Sequence, residues 1–155
     1  MNYKTIKEID VEGVVLPNHP LSNFEVIDAA KKLKIKNFRG VFLRDQLPKK
    51  PRRNERSPRG LNEQSECGIM NLDDSSGDGT HYVAWYKQNN NNIYYFDGYG
   101  IQPAIEMINY LQKPIYYNTE RIQPDDTVVC GHLCVFVLKK LDEGYNFQSI
   151  INTLF

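Results

Sequence analysis

A chain of 155 residues, 41% hydrophobic and 12% aromatic, has the length and apolar content for one domain (1–155) with its own core. Its 19 Lys and Arg balance 19 Asp and Glu, which excludes a global charge pull toward nucleic acid or a membrane surface. No apolar run approaches the roughly 18 residues of a membrane span, and the opening MNYKTIKEIDVEG carries no secretory leader, so the expectation is a protein that is neither membrane-bound nor secreted.

Residues 1–21, with Pro17 and Pro20 and little periodicity, read as an extended arm. Ser22 with Glu25 three residues on is a capping-box signature, and Phe24, Ile27, Ala30 and Leu33 follow at helical spacing. Val41 to Leu43 reads as a short strand. Residues 48–64 are rich in proline and charge and read as a basic surface loop; Lys49 to Gly60 holds six basic residues against one acid, about +5. Lys49, Lys50, Arg52 and Arg53 are the candidate DNA contacts there, although the loop has no aromatic residue to stack on a base and reads equally as a solvated loop.

Cys67 to Leu72 reads as a buried strand, and DDSSGDG (73–79) is turn chemistry. His81 to Tyr86 and Ile93 to Phe96 are aromatic and β-branched, and Gln88 to Asn92 between them predicts an antiparallel hairpin. Pro103 suits the start of a helix running to about Leu111, with Ile105, Ile108 and Leu111 apolar. Ile115 to Tyr117 is a further strand. Gly131 to Leu141 is apolar enough for a buried helix stopped by Gly144, and Phe147 to Phe155 is amphipathic, with Phe147, Ile150, Ile151 and Leu154 inward. The sum is α+β, a small mixed sheet packed with helices.

Chemistry gathers on a few residues. Three cysteines (Cys67, Cys130, Cys134) are an odd and sparse set for a disulfide scaffold and point to a reducing setting. Cys130 opens the buried helix, where unpaired amides and the positive end of the helix dipole stabilise a thiolate. On position alone it is as readily a small core residue. His81 begins a strand, where its ring can project into a cleft. His132, two residues past Cys130, points about 200° away on a helix, and His19 falls in the arm. Asp97 ends the second strand of the hairpin, close enough to orient His81, although Asp97-Gly98 is also a plain turn signal. Cys130, His132 and Cys134 are a weak zinc pattern, because the cysteines and the histidine face different ways, so no metal is expected.

Read together, GTHYVAWYK (79–87), IYYFDGYG (93–100) and Gln123 seven residues before CGHLC (130–134) resemble the adenain family of adenovirus-type maturation proteases, of the kind also encoded by virophages and Maverick/Polinton elements. FRGVFLRDQLP (38–48) and ECGIMNLD (66–73) extend the resemblance to about residues 38–140. It implies a papain-type fold of the adenain and SUMO-protease kind. Cys130 is then the nucleophile, His81 the base, Asp97 its orienter and Gln123 the oxyanion donor, while Gly40 and Tyr82 would line the substrate groove. Tyr82 stands where such proteases usually carry Trp.

The implied activity is a cysteine endopeptidase cleaving capsid or core precursors after glycine, in Gly-Gly or Gly-X contexts. It would act as a monomer in the virion or in infected-cell cytoplasm or nucleus. No cofactor is required by such chemistry, though DNA or a viral peptide serves as activator in the family. Two other functions fit the same residues: a deconjugating protease for ubiquitin-like proteins, and a non-enzymatic nucleic-acid-binding module built on the basic loop.

Overall fold

Period-two alternation along the central hairpin sends its side chains to two faces, and each face meets its own core. The computed structural model describes residues 8–49, 55–56, 62–63, 65–73, 81–124 and 127–155. In chain order the elements are β1 (Glu8–Val11), β2 (Val14–Pro17), α1 (Asn23–Lys32), β3 (Phe38–Leu43), β4 (Glu55–Arg56), β5 (Asn62–Glu63), β6 (Glu66–Asn71), β7 (Tyr82–Asn89), β8 (Asn92–Phe96), α2 (Ile105–Leu111), β9 (Tyr116–Tyr117), α3 (Cys130–Asp142) and α4 (Phe147–Leu154). Five of the strands form one mixed sheet in the order β3-β6-β7-β8-β9, antiparallel in the middle and parallel at both outer pairs. The expected α+β architecture is therefore the observed one.

Tyr82 and Ala84 of β7 face a core shared with α1, α3 and α4, whereas Val83 and Trp85 face a second core under α2. Helices on both faces make the sheet a middle layer, with α3 packed against β7. Gly68 is the closest fit in the second core. A Cβ built there would fall 2.3 Å from the Trp85 indole, so the ring lies across a position where only hydrogen fits. Gly68→Ala is expected to lower the free energy of unfolding by about 1–3 kcal/mol through overpacking, read as a lower urea midpoint.

Three local readings change. Residues 8–17 of the expected arm form the β1–β2 hairpin, turned at Glu12 and Gly13 with Gly13 N donating to Asp10 Oδ1 at 2.9 Å, and Val11 and Leu16 enter the core. Helix α1 has its capping box, with Ser22 Oγ accepting from Glu25 N and Glu25 Oε1 from Ser22 N. Yet it buries Val26, Ala29 and Ala30 while Phe24 is 84% exposed. Two stripes of helical spacing overlap there, and the small Ala29 and Ala30 pack where the bulkier Phe24 and Ile27 do not. Likewise α2 buries Met107, Tyr110 and Leu111, not Ile105 and Ile108. Lys50, Arg52, Arg53 and most of the 73–79 turn lie outside the described residues.

Candidate active site

Strand register explains how the site assembles. β7 pairs with β8 so that Ala84 faces Phe96; continued outward, the same register sets His81 against Tyr99, with Asp97 on the diagonal. His81 Nε2 lies 2.9 Å from Asp97 Oδ1, the two side chains being 13% and 1% exposed. The same carboxylate oxygen accepts the Tyr99 amide at 2.8 Å. The Tyr99 ring stacks on the imidazole, centroids 4.6 Å apart and planes 19° from parallel.

The backbone of Asp97 is clamped from outside the hairpin. Asp97 N donates to Asn118 Oδ1 at 3.1 Å, and Asn118 Nδ2 donates to Asp97 O at 2.7 Å. Asn118 follows β9, the parallel neighbour of β8, and its amide substitutes for the peptide group that the ladder lacks at this point. Neither Asn118 nor Tyr99 emerges from the sequence reading. The run Asp97-Gly98-Tyr99-Gly100 was available as a signal for Tyr99; Asn118 has none, because its role depends on a parallel pairing of two residues.

Cys130 is the first residue of α3, close enough to His81 for each to act on the other's charge; with Nε2 committed to Asp97, Nδ1 is the ring nitrogen left to serve the thiol. Gly131 lets the first turn of α3 come close to the sheet, since a Cβ there would lie 3.3 Å from both Leu21 and Tyr82. Burial pushes the Cys130 thiol up, but the His81 hydrogen bond and the amides of Tyr82 and Gly131 outweigh it and hold the thiol below its ordinary value. Burial likewise pulls His81 down, and its bonds to Asp97 and then Cys130 outweigh that and raise it to about 9. Both shifts favour a thiolate–imidazolium pair.

The other cysteines differ in kind. Cys67 and Cys134 are fully buried, donate weakly to Lys36 O and Tyr82 O, and are pushed up by burial. His132 Nε2 turns to Pro17 O at 2.8 Å, away from Cys130, and burial holds it below its ordinary value. His19 sits by the α1 cap, 3.5 Å from Glu25. Among the described residues no group of three His, Cys, Asp or Glu comes together to hold a metal ion.

Gln123 is buried beside the Asp97-Gly98 turn, its backbone N–H donating to Gly98 O at 2.8 Å. A Cβ at Gly98 would meet Gln123 Oε1 at 2.9 Å and Leu133 of α3 at 3.6 Å, so that turn packs against both Gln123 and the first turn of α3. One Nε2–H donates to Thr127 O at 3.2 Å, leaving the second donor of the amide group.

Of the two expected groove residues, one has a buried side chain and the other sits on an edge strand. Tyr82 is buried in the core, its hydroxyl donating to Leu21 O and meeting Asn23 Oδ1, both at 2.8 Å; it ties the start of α1 to the site rather than walling an open cleft. Gly40, at a bulge with φ +131°, lies on the edge strand β3, separated from β7 by β6 and not brought to His81. Lys49 is exposed.

The molecule has the fold of the papain-type cysteine proteases of the SUMO-protease and adenain kind. Two solved structures of the ASFV pS273R protease carry the comparison. The selenomethionine form has a TM-score of 0.58 and 17% identity over 88% of this chain and 63% of its own. The second has a TM-score of 0.59 and 16% identity over 88% and 62%. The chain thus spans somewhat less than two thirds of the length of these proteases. No protein-family model and no curated protein sequence matches it.

Proposed function

We propose that this chain is a cysteine endopeptidase that processes viral capsid or core precursors after glycine. The observation that carries the reading is Cys130, at the head of a buried helix beside His81, whose imidazole Asp97 holds at 2.9 Å and which draws the thiol below its ordinary value. The Cys130 thiolate attacks the scissile carbonyl carbon, and Gln123 with the Cys130 amide stabilises the oxyanion. His81 donates its proton to the leaving amine as the C–N bond breaks, leaving a thioester. A water, giving a proton back to His81, attacks that thioester, releases the acid and restores the thiol pair.

The nucleophile is recessed, with Cys130 only 8% exposed. A recess of this kind favours a carbonyl without a bulky side chain beside it, which supports glycine before the scissile bond. The resemblance to adenain-type enzymes and the fold of a viral protease support a maturation role in the virion or in infected-cell cytoplasm or nucleus. DNA is an auxiliary partner in this reading, through the loop that Lys49 opens, and a viral peptide is the alternative activator.

The test is cleavage of Gly-Gly and Gly-X precursor peptides beside fluorogenic ubiquitin-like conjugates, each with and without DNA, with Cys130→Ala as control. Cleavage of the precursor peptides, absent from Cys130→Ala, is the expected result. Cleavage of the ubiquitin-like conjugates alone would reassign the chain as a deconjugase. No cleavage of any substrate, together with salt-dependent DNA binding, would leave a nucleic-acid-binding module.

A further inference from the structure

A single hydrogen bond to Asp97 fixes one atom of the His81 ring and leaves the ring free to rock about that bond. Serving Cys130 through the other nitrogen requires the plane to be fixed as well. The surface lying against that plane is Tyr99, stacked at 4.6 Å and 19°. Tyr99 and His81 are also referenced to the same atom, since Asp97 Oδ1 meets His81 Nε2 at 2.9 Å and accepts Tyr99 N–H at 2.8 Å. Anchor and wall are thus built from one turn and move together. Tyr99 is itself held. The Arg121 guanidinium lies over its ring, 5.1 Å from the centroid, and Arg121 Nε donates to Gln123 O at 3.3 Å. Contacts through Tyr99 and Arg121 therefore connect the base to the backbone of the oxyanion donor.

We infer that Tyr99 is the positioning residue of the site: its ring sets the plane in which His81 meets both Asp97 and Cys130, and Arg121 braces that ring against Gln123. This rests on the proteolytic reading of Cys130 and His81 and goes beyond it. A flat ring is what the role needs, and the hydroxyl is dispensable. Weakening the stack loosens the thiol–imidazole bond, so the thiol ionises at higher pH and the imidazole loses its proton at lower pH. The window in which the pair exists narrows from both ends.

The experiment is the rate of Cys130 carboxamidomethylation by iodoacetamide as a function of pH in wild type, Tyr99→Phe, Tyr99→Leu and Tyr99→Ala, with thermal midpoints measured alongside. Tyr99→Phe is expected within about twofold of wild type at every pH. Tyr99→Leu and Tyr99→Ala are expected to lose about tenfold or more on the neutral plateau, with the plateau narrowed at both limbs, and to rejoin wild type where any thiol is ionised. Leu keeps bulk without a plane, so it decides the matter even if Ala unfolds. Neutral rates within about twofold for Tyr99→Leu, or equal loss in Tyr99→Phe, would overturn the assignment. A wild type with no neutral plateau would instead remove the protease reading itself.

Discussion

His81→Ala is expected to slow peptide cleavage by about 10²–10⁴-fold and to turn the pH dependence of Cys130 alkylation from a plateau into a single late rise. In the intact site the thiol ionises below its ordinary value and the imidazole keeps its proton to about 9. Cleavage should therefore climb on the acid side as the thiolate forms and fall on the alkaline side as His81 deprotonates near 9. Without the imidazole, burial is unopposed by its bond and charge, and the thiol moves up rather than back to an ordinary cysteine. Mass mapping after brief alkylation at neutral pH should find wild-type label on Cys130 alone, because Cys67 and Cys134 are buried and protonated. Equal labelling of Cys130 in wild type and His81→Ala would show that the pair is not activated.

The parts of this arrangement that depend on strand order and spacing were legible in the sequence. The hairpin, the helix opened by Cys130 and the position of His81 at a strand end rest on two aromatic and β-branched runs around a polar turn and on a single long apolar run. Both signals are strong because burial in this fold is nearly complete along them. The choice of helix face was not legible. In α1 the residues Phe24 and Ile27 keep the same spacing as Val26 and Ala29, and the approach of α3, β3 and β2 decides which pair is covered. Tyr82 shows a related limit. Its place after the histidine indicates a groove wall, but the strand alternation that sends His81 to one face sends Tyr82 to the other, into the core beside Ala84. The strand at Ile115 to Tyr117 was legible, but its parallel partner and the clamp that follows it were not. Two residues carry no signal of which strand they pair with, yet that pairing places Asn118 where it clamps Asp97.

Asp97→Ala is expected to cost about 10³-fold or more in kcat/KM, because His81 then loses both its anchor and the charge that stabilises the imidazolium. Asp97→Asn separates those two losses. In many triads an amide in place of the carboxylate presents its NH₂ to the histidine and forces the wrong tautomer. Here the Tyr99 N–H already donates to Oδ1 at 2.8 Å, so an asparagine is held with its oxygen on that side, facing His81 Nε2. The tautomer survives and the charge is lost. The expected outcome is a milder fall of about 10–10²-fold, with the alkaline limb moving down from about 9 as the imidazolium loses its carboxylate. The substituted NH₂ group replaces Oδ2, which is buried and accepts no hydrogen bond from the described residues, and so puts a donor where the native site keeps an acceptor. A lower thermal midpoint for Asp97→Asn is the accompanying expectation. A fall as deep as that of Asp97→Ala, with the limb unmoved, would mean that the amide has turned and that the Tyr99 N–H does not control it.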